Sequence, residues 1–174
     1  ESIRGVGVSA YASEDVFMLS VAGAVGATGG IAGAVNWQKI DSDTTAEIKS
    51  GAKINQDPDN AASAHANQDV YVVALNNLTA TGIAGALGLS AGFGAGGGVD
   101  VGTIDSSTIA RLGGDVTARR DIRVASTADR FVRSVAAAGA VGIAGVAGGI
   151  SRWTVGGAVG SRRLPVGGGQ RRGR

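Results

Sequence analysis

The chain has 174 residues, 31 of them glycine, with 4% aromatic residues and no cysteine. Disulfides and thiolate metal sites are therefore excluded, and small side chains must fill most of the interior. The net charge of +2 is unevenly divided, because residues 1–110 carry four Lys and Arg against eleven Asp and Glu, whereas residues 111–174 carry twelve Arg against three Asp. The front of the chain is thus acidic (−7) and the back basic (+9).

The first copy of a repeat is predicted over residues 3–66. It opens with Val6, Val8 and Ala10, which alternate with small or polar residues at the period of a strand. A short polar bend is predicted at residues 13–15, followed by a Gly/Ala segment over residues 20–37. Two further strands follow, with charged side chains outward and apolar ones inward. An insertion at residues 56–65 then predicts a loop on one face.

The Gly/Ala segment recurs twice. At an offset of 116, Gly23 aligns with Gly139 and Trp37 with Trp153, and at an offset of 62 Val21 aligns with Ile83. Other strands align at an offset of 64, residues 40–42, 46–48 and 52–54 with 104–106, 110–112 and 116–118, and polar bends are predicted again at 76–77 and 127–130. We therefore predict three degenerate Gly/Ala-rich repeats, residues 3–66, 67–118 and 119–160, and a disordered Arg/Gly-rich tail, residues 161–174.

Strands are favoured over helices for the Gly/Ala segments. Their glycines recur every three or four residues, as on one face of a helix, but each interior glycine costs a helix about 1 kcal/mol relative to alanine. An interior of Ala, Gly and Val also buries little apolar area, so it needs regular backbone hydrogen bonding and close stacking. The predicted fold is all-β, a parallel β-helix (β-solenoid) in which the three repeats stack.

The order of these segments resembles a known family. A "DIRVAS" strand at residues 121–126 or a "GGDVTA" strand at 113–118, a Gly/Ala/Val segment, a threonine-rich patch at 43–48 and "SGAKI" at 50–54 are similar to repeats of large secreted bacterial proteins, the filamentous-haemagglutinin-like and leukotoxin-type filamentous adhesins. The resemblance covers residues 3–155. It implies a right-handed parallel β-helix, export to the extracellular space or the bacterial outer surface, and a stalk or adhesive role toward a host or cell-surface protein or glycan.

No pattern in the sequence predicts catalysis, so we expect a non-enzymatic protein without cofactor or metal. The glycines of residues 92–97 match G-x-G-x-x-G but precede strand alternation instead of a helix. His65 is the single histidine and no serine is marked as a nucleophile, while Asp57, Asp59, Asp41 and Asp43 fit solvated turns better than calcium loops. A carbohydrate-active β-helix enzyme stays a third hypothesis.

Two features suggest partners for the back of the chain. Five arginines, Arg119, Arg120, Arg123, Arg130 and Arg133, are candidate contacts for an anionic partner, although a solvated face explains them more simply. Nucleic acid is not expected, because aromatic residues do not interleave with them. The uncharged run of residues 134–151 supports an alternative function as a membrane-inserting or pore-forming toxin segment.

The leading hypothesis is a structural segment with a flat, polar-studded adhesive face. Its exposed edge strands also predict end-to-end self-association.

Overall fold

The computed structural model describes residues 3–56 and 64–163, and within this part of the chain every regular element is a strand. The all-β prediction is therefore confirmed. The strands are β1 (Ile3–Gly26), β2 (Gly29–Ile48), β3 (Lys53–Ile54), β4 (Ala64–Ser90), β5 (Phe93–Leu112), β6 (Asp115–Val116), β7 (Ile122–Val141), β8 (Ala144–Gly156) and β9 (Val159–Arg163). The predicted tail starts at residue 161, but β9 continues to Arg163; residues 164–174 lie outside the described residues.

The strands form three parallel sheets. The first sheet has the order β1-β4-β7, the second has the order β2-β5-β8 with β9 also pairing with β5, and the third contains β3 and β6. We call β1–β3 the first unit, β4–β6 the second and β7–β9 the third. The first and second units contribute one strand to each large sheet, and the third contributes β7 to the first sheet and β8 and β9 to the second. Within the described residues, the strands of the second unit therefore lie in the middle of both large sheets.

Side chains alternate strictly between an interior and two outer faces. In β2 and β5 the even-numbered residues are buried and the odd-numbered ones are exposed or half-buried, and β4 shows the same alternation. The two large sheets share the interior, because side chains of the first sheet such as Val72 and Leu78 cluster with Leu112 and Ile104 of the second. A third cluster, Ala32, Ala34 and Ala86, lies near the turns between the sheets.

The predicted offsets are confirmed for the opening strands, for residues 40–42 and 46–48, and for Gly23 with Gly139, and two others are corrected by two residues. Val6 pairs with Val70, and Val70 with Ile122, as predicted. The Gly/Ala segment of the second unit aligns at 64 instead of 62, since Val21 pairs with Gly85. Lys53 pairs with Asp115 rather than Thr117. Both errors equal one full side-chain period, so they leave the facing of every residue unchanged.

The predicted polar bends are wrong. Residues 13–15, 76–77 and 127–130 lie inside the uninterrupted strands β1, β4 and β7, and the chain turns instead within the Gly/Ala segments, at residues 27–28, 91–92 and 142–143. Strand alternation accommodates these polar residues. Ser13 and Asp15 point outward, while the carboxylate of Glu14 points inward and accepts a hydrogen bond from Ser42 Oγ at 2.6 Å.

The predicted equivalence of the two tryptophans is also wrong. Leu89 pairs with Val141 and Phe93 with Ala144, so three residues separate the paired positions in the second unit and only two in the third. A shift of one residue exchanges the two faces of a strand. Trp37 therefore points outward with 78% of its surface exposed, whereas Trp153 pairs with Gly102 and points into the interior.

Tryptophan fluorescence tests this difference. A Trp37→Phe variant retains only Trp153, and we expect blue-shifted emission that acrylamide quenches weakly. A Trp153→Phe variant retains only Trp37, and its emission should be red-shifted and quenched several-fold more strongly, because the indole is in water. Equal quenching constants for the two variants would contradict the one-residue shift.

Glycines let the two sheets approach each other at the Gly/Ala end. A Cβ atom added at Gly98 would lie 2.7 Å from the carbonyl oxygen of Ala137 and 2.9 Å from that of Ala84. These are backbone atoms that cannot rotate away. At the adjacent Gly97, which points outward, an added Cβ atom meets nothing within 4 Å. The interior therefore has no room for a methyl group where the outer face has ample room.

The pair Gly98→Ala and Gly97→Ala measures this constraint with identical chemistry. We expect Gly98→Ala to lower the free energy of unfolding by about 1–3 kcal/mol, the range for overpacked interiors. Gly97→Ala should leave it unchanged or raise it by about 0.4–1 kcal/mol, since alanine restricts the unfolded chain. Urea unfolding midpoints give both values, and equal midpoints would exclude close approach of the sheets.

Candidate functional site

The structure does not gather the five candidate arginines into one patch. Arg119 and Arg120 are exposed in the loop between β6 and β7, and Arg123 and Arg133 point outward from β7. Arg130 points inward and is half-buried. Ten residues of strand separate Arg123 from Arg133, or about 33 Å. Their contact with an anionic partner remains a prediction.

Arg120 binds a carboxylate of this chain. Its Nε donates to Asp69 Oδ1 at 2.8 Å and its Nη2 donates to Asp69 Oδ2, while the backbone N–H of Asp121 also donates to Asp69 Oδ1 at 3.2 Å. The hydrogen bonds from Arg120 hold the pKa of Asp69 below its usual value. This ion pair links the start of β7 to β4, and it engages Arg120 within the molecule.

Polar side chains occupy two layers of the interior. Asn76 Nδ2 donates to Ser42 Oγ and Thr44 Oγ1, each at 3.1 Å, between the two larger apolar clusters. Nearer the turns, Asn36 Nδ2 donates to the carbonyl oxygen of Ile83 at 2.7 Å. Apolar residues were expected at the inward positions, so these polar layers differ from the prediction. Strand alternation is the signal that could have found them, because the inward residues of β2 all have even numbers and the polar residues Asn36, Ser42 and Thr44 are among them. The buried polar residues are Asn36, Gln38, Ser42, Thr44, Gln68, Asn76, Asp100, Ser106 and Thr108.

Asp100 forms the densest polar cluster. It is fully buried, and its Oδ2 accepts hydrogen bonds from Trp153 Nε1 at 2.9 Å and from Ser134 Oγ, which also contacts Ser151 Oγ. These bonds join β5 to β7 and β8. His65, the only histidine of the chain, lies 17 strand residues from Gly82, the partner of Ser134, or about 56 Å. The cluster therefore lacks the base of a Ser-His-Asp triad and stabilises the third unit.

The other sequence candidates occupy simple strand positions. Asp41 and Asp43 point outward, and Asp41 Oδ2 pairs with Lys39 Nζ at 2.7 Å. Asp57 and Asp59 lie outside the described residues. Within residues 3–56 and 64–163, no group of three or more His, Cys, Asp or Glu residues is arranged to hold a metal ion. The G-x-G-x-x-G match at residues 92–97 continues into β5, so the helix that a dinucleotide site requires is replaced by a strand.

The outer faces at the Gly/Ala end are apolar. We define the apolar end as residues 17–37, 81–101 and 134–151, which flank the three turns; their single charged residue, Asp100, is buried. The expected polar-studded face is therefore wrong for this end, because the outward positions are mostly aliphatic. The exposed large side chains here are Phe17, Leu19, Val21, Val25, Ile31, Val35, Trp37, Leu87, Phe93, Val135, Val141, Ile143, Val146 and Ile150.

No family model matches the chain, and neither a curated protein nor a solved structure matches it. The resemblance to filamentous adhesins thus remains a prediction. Functional assignment rests on two geometric features, namely the outer faces of the apolar end and the strands at the edges of the two large sheets.

The dependence of Tm on pH in the acid range tests the Asp69–Arg120 pair. Because the folded pKa of Asp69 lies below the unfolded value of about 3.9, ionised Asp69 stabilises the fold above that pH. This contribution is lost as pH falls through the lower folded pKa. We expect the Tm of Asp69→Asn to lie below the Tm of the wild type near neutral pH. The difference between the two Tm values should become smaller below about pH 3.5.

The effect should be small, because the pair is exposed and screened by solvent. Asp129→Asn, on the outer face of the same sheet, is the control and should leave the Tm profile unchanged. A difference between wild type and Asp69→Asn that stays constant from pH 7 to pH 2 would contradict the lowered pKa.

Proposed function

We propose that this chain is a non-enzymatic structural and adhesive segment of a secreted or surface-exposed bacterial repeat protein, folded as a β-solenoid. The observation that supports the proposal is that each unit follows the same path, from the first sheet to the second, and pairs in parallel with its neighbour over 20 or more residues in β1, β2, β4 and β5. Such pairing builds a stiff, extensible rod with two broad faces.

The adhesive surface is formed by the outer faces of the apolar end. Val25 is 83% exposed on β1 and Ile143 is 93% exposed in the turn between β7 and β8, and both belong to the uncharged outer surface of the apolar end. Soluble proteins rarely expose large contiguous apolar patches unless these contact a partner. This surface carries exposed rings at Phe17, Trp37 and Phe93 but no outward charged side chain, so it fits an apolar patch on a host or cell-surface protein better than a glycan, whose hydroxyl groups require polar partners.

The membrane-inserting alternative has one observation in its favour and one against it. The ten residues from Phe17 to the first turn span about 33 Å, close to the hydrocarbon core of a bilayer of about 30 Å. However, the unpaired N–H and C=O groups of the edge strands β1 and β7 would be left in lipid, which costs several kcal/mol for each group. Within residues 3–56 and 64–163, no helix is long and apolar enough to cross a membrane.

The carbohydrate-active alternative is supported less well. Outward carboxylates converge in one surface groove, but Asp41 is already paired with Lys39. The groove also lacks an aromatic side chain on which a sugar ring could stack. Its lining residues are Lys39, Asp41, Ser42, Asp43, Asp105 and Ser107.

Adsorption to alkyl-coated beads tests the adhesive surface. The triple variant Val21→Thr, Ile31→Thr, Val35→Thr keeps β-branched side chains on exposed positions and adds hydroxyl groups. We expect at least a fivefold loss of retention on octyl beads at unchanged Tm, because the aliphatic area is what adsorbs.

A matched control changes three outward residues away from the apolar end: Ser13→Thr, Thr45→Ser, Thr127→Ser. It should adsorb like the wild type. Equal retention of all three proteins would refute the adhesive surface. Release of dye from phosphatidylcholine vesicles by the wild type, abolished in the first variant, would support the membrane alternative instead.

A further inference from the structure

Both ends of the stack present strands that are paired on one side only, as far as residues 3–56 and 64–163 show. These strands are β1 and β2 at one end and β7, β8 and β9 at the other, and each end carries two long rows of backbone groups without a strand partner among the described residues. The interior is open at the same places. Inward residues Val70 and Val72 of the middle strand are fully buried, whereas their partners Val6 and Val8 in β1 are only half-buried.

We call residues that pair in register across the three units a column. One column that points into the interior has opposite charges at its two ends. The register aligns Glu14, Leu78 and Arg130 in successive units. Glu14 lies at the first end and Arg130 at the third. Among residues 3–56 and 64–163 the ion pairs join Lys39 to Asp41 and Arg120 to two aspartates, so neither Glu14 nor Arg130 takes part in one.

A second column repeats this arrangement on the outer face of the second sheet. Glu47 pairs with Arg111, and Arg111 with Arg162, and the three side chains line one surface groove. Like charges on adjacent strands are unfavourable, and none of the described strands lies on the far side of Arg162. A carboxylate placed there would offset the repulsion between the two arginines.

Two further columns end in an aromatic ring at the first end and in an arginine at the third. Phe17 is aligned through Thr81 with Arg133, and Trp37 is aligned through Val101 with Arg152. Both rings are more than 60% exposed. Arginine over an aromatic ring is an attractive contact.

We infer that a second copy of this chain stacks head to tail on the first, with β7 of one copy pairing with β1 of the next and β8 and β9 pairing with β2. Continuing the observed registers places Arg130, Arg162, Arg133 and Arg152 of one copy beside Glu14, Glu47, Phe17 and Trp37 of the next, one strand spacing of about 4.8 Å away. In none of the columns defined for the described strands do two like charges then meet across the junction.

This contact uses different surfaces on the two copies, and each added copy stacks along the same axis as the units within a copy, so the assembly extends into an open filament. The inference rests on the proposed function, since it requires the stacked units of a β-solenoid. It also places Arg130, whose Nη2 donates a hydrogen bond to the carbonyl oxygen of Ser106 in its own copy, beside a carboxylate of the next copy.

Sedimentation velocity of the full chain at low ionic strength tests the inference. The wild type should show a mass that increases with concentration beyond a dimer. Glu14→Arg alone and Arg130→Glu alone should each lower the apparent association constant at least tenfold, because like charges then face each other in the interior column. An equimolar mixture of the two variants should assemble again, since each junction regains opposite charges.

Arg123→Glu is the matched control, because Arg123 lies on the same strand but would face Gly7 of the next copy. It should assemble like the wild type. Full assembly of either single variant, failure of the mixture, or a mass that stops at a dimer would overturn the inference. If octyl-bead retention and a strand-type circular dichroism spectrum persist in these cases, the proposed function stands; loss of the strand spectrum in the wild type would refute both.

Discussion

Parallel pairing in register is the constraint on which the whole structure depends. Side chains alternate along each strand, and every position lies beside its equivalent in the neighbouring unit, so the facing of one residue determines the facing of its whole column. This rule determines which residues form the interior, which form the outer faces and which face a neighbour at each end of the stack. The same rule explains why Glu14 is compatible with a continuous strand, since its inward carboxylate finds Ser42 across the interior.

The interior contains two classes of residue with different roles, namely small residues and buried polar residues. Glycine and alanine allow the two sheets to approach each other at one end, because an added Cβ atom at Gly98 would lie 2.7 Å from a carbonyl oxygen of the opposite sheet. Buried hydrogen bonds add a second constraint, because a buried donor or acceptor that loses its partner costs about 1–3 kcal/mol. A strand that slipped would break the bonds of Asn36, Asn76 and Asp100, so these bonds favour the observed register.

The sequence allowed prediction of strands, of the repeat order and of the offsets of the opening strands, because these depend on local alternation and on matching residue types. It did not reveal the turns, since the Gly/Ala segments look alike on both sides of residues 27–28. The apparent match of Trp37 with Trp153 hid a deletion of one residue. For the candidate site, the sequence identified the arginines but not the directions in which their side chains point. Arg130 has an even number and points inward, whereas Arg123 and Arg133 have odd numbers and point outward, and nothing else in the local sequence separates them.

The shortened turn at residues 142–143 limits how such a chain can change during evolution. Duplication of a complete unit preserves the phase of both sheets, and the new unit joins the stack without rearrangement. Recombination after the turn at the apparent offset of 116 would join the shortened turn to the second half of the first unit, and that half would reverse its facing, with Trp37 in the interior and Asn36 in water. Such a chain can therefore lengthen by duplication of whole units, whereas exchange of half-units at this offset would disrupt the fold.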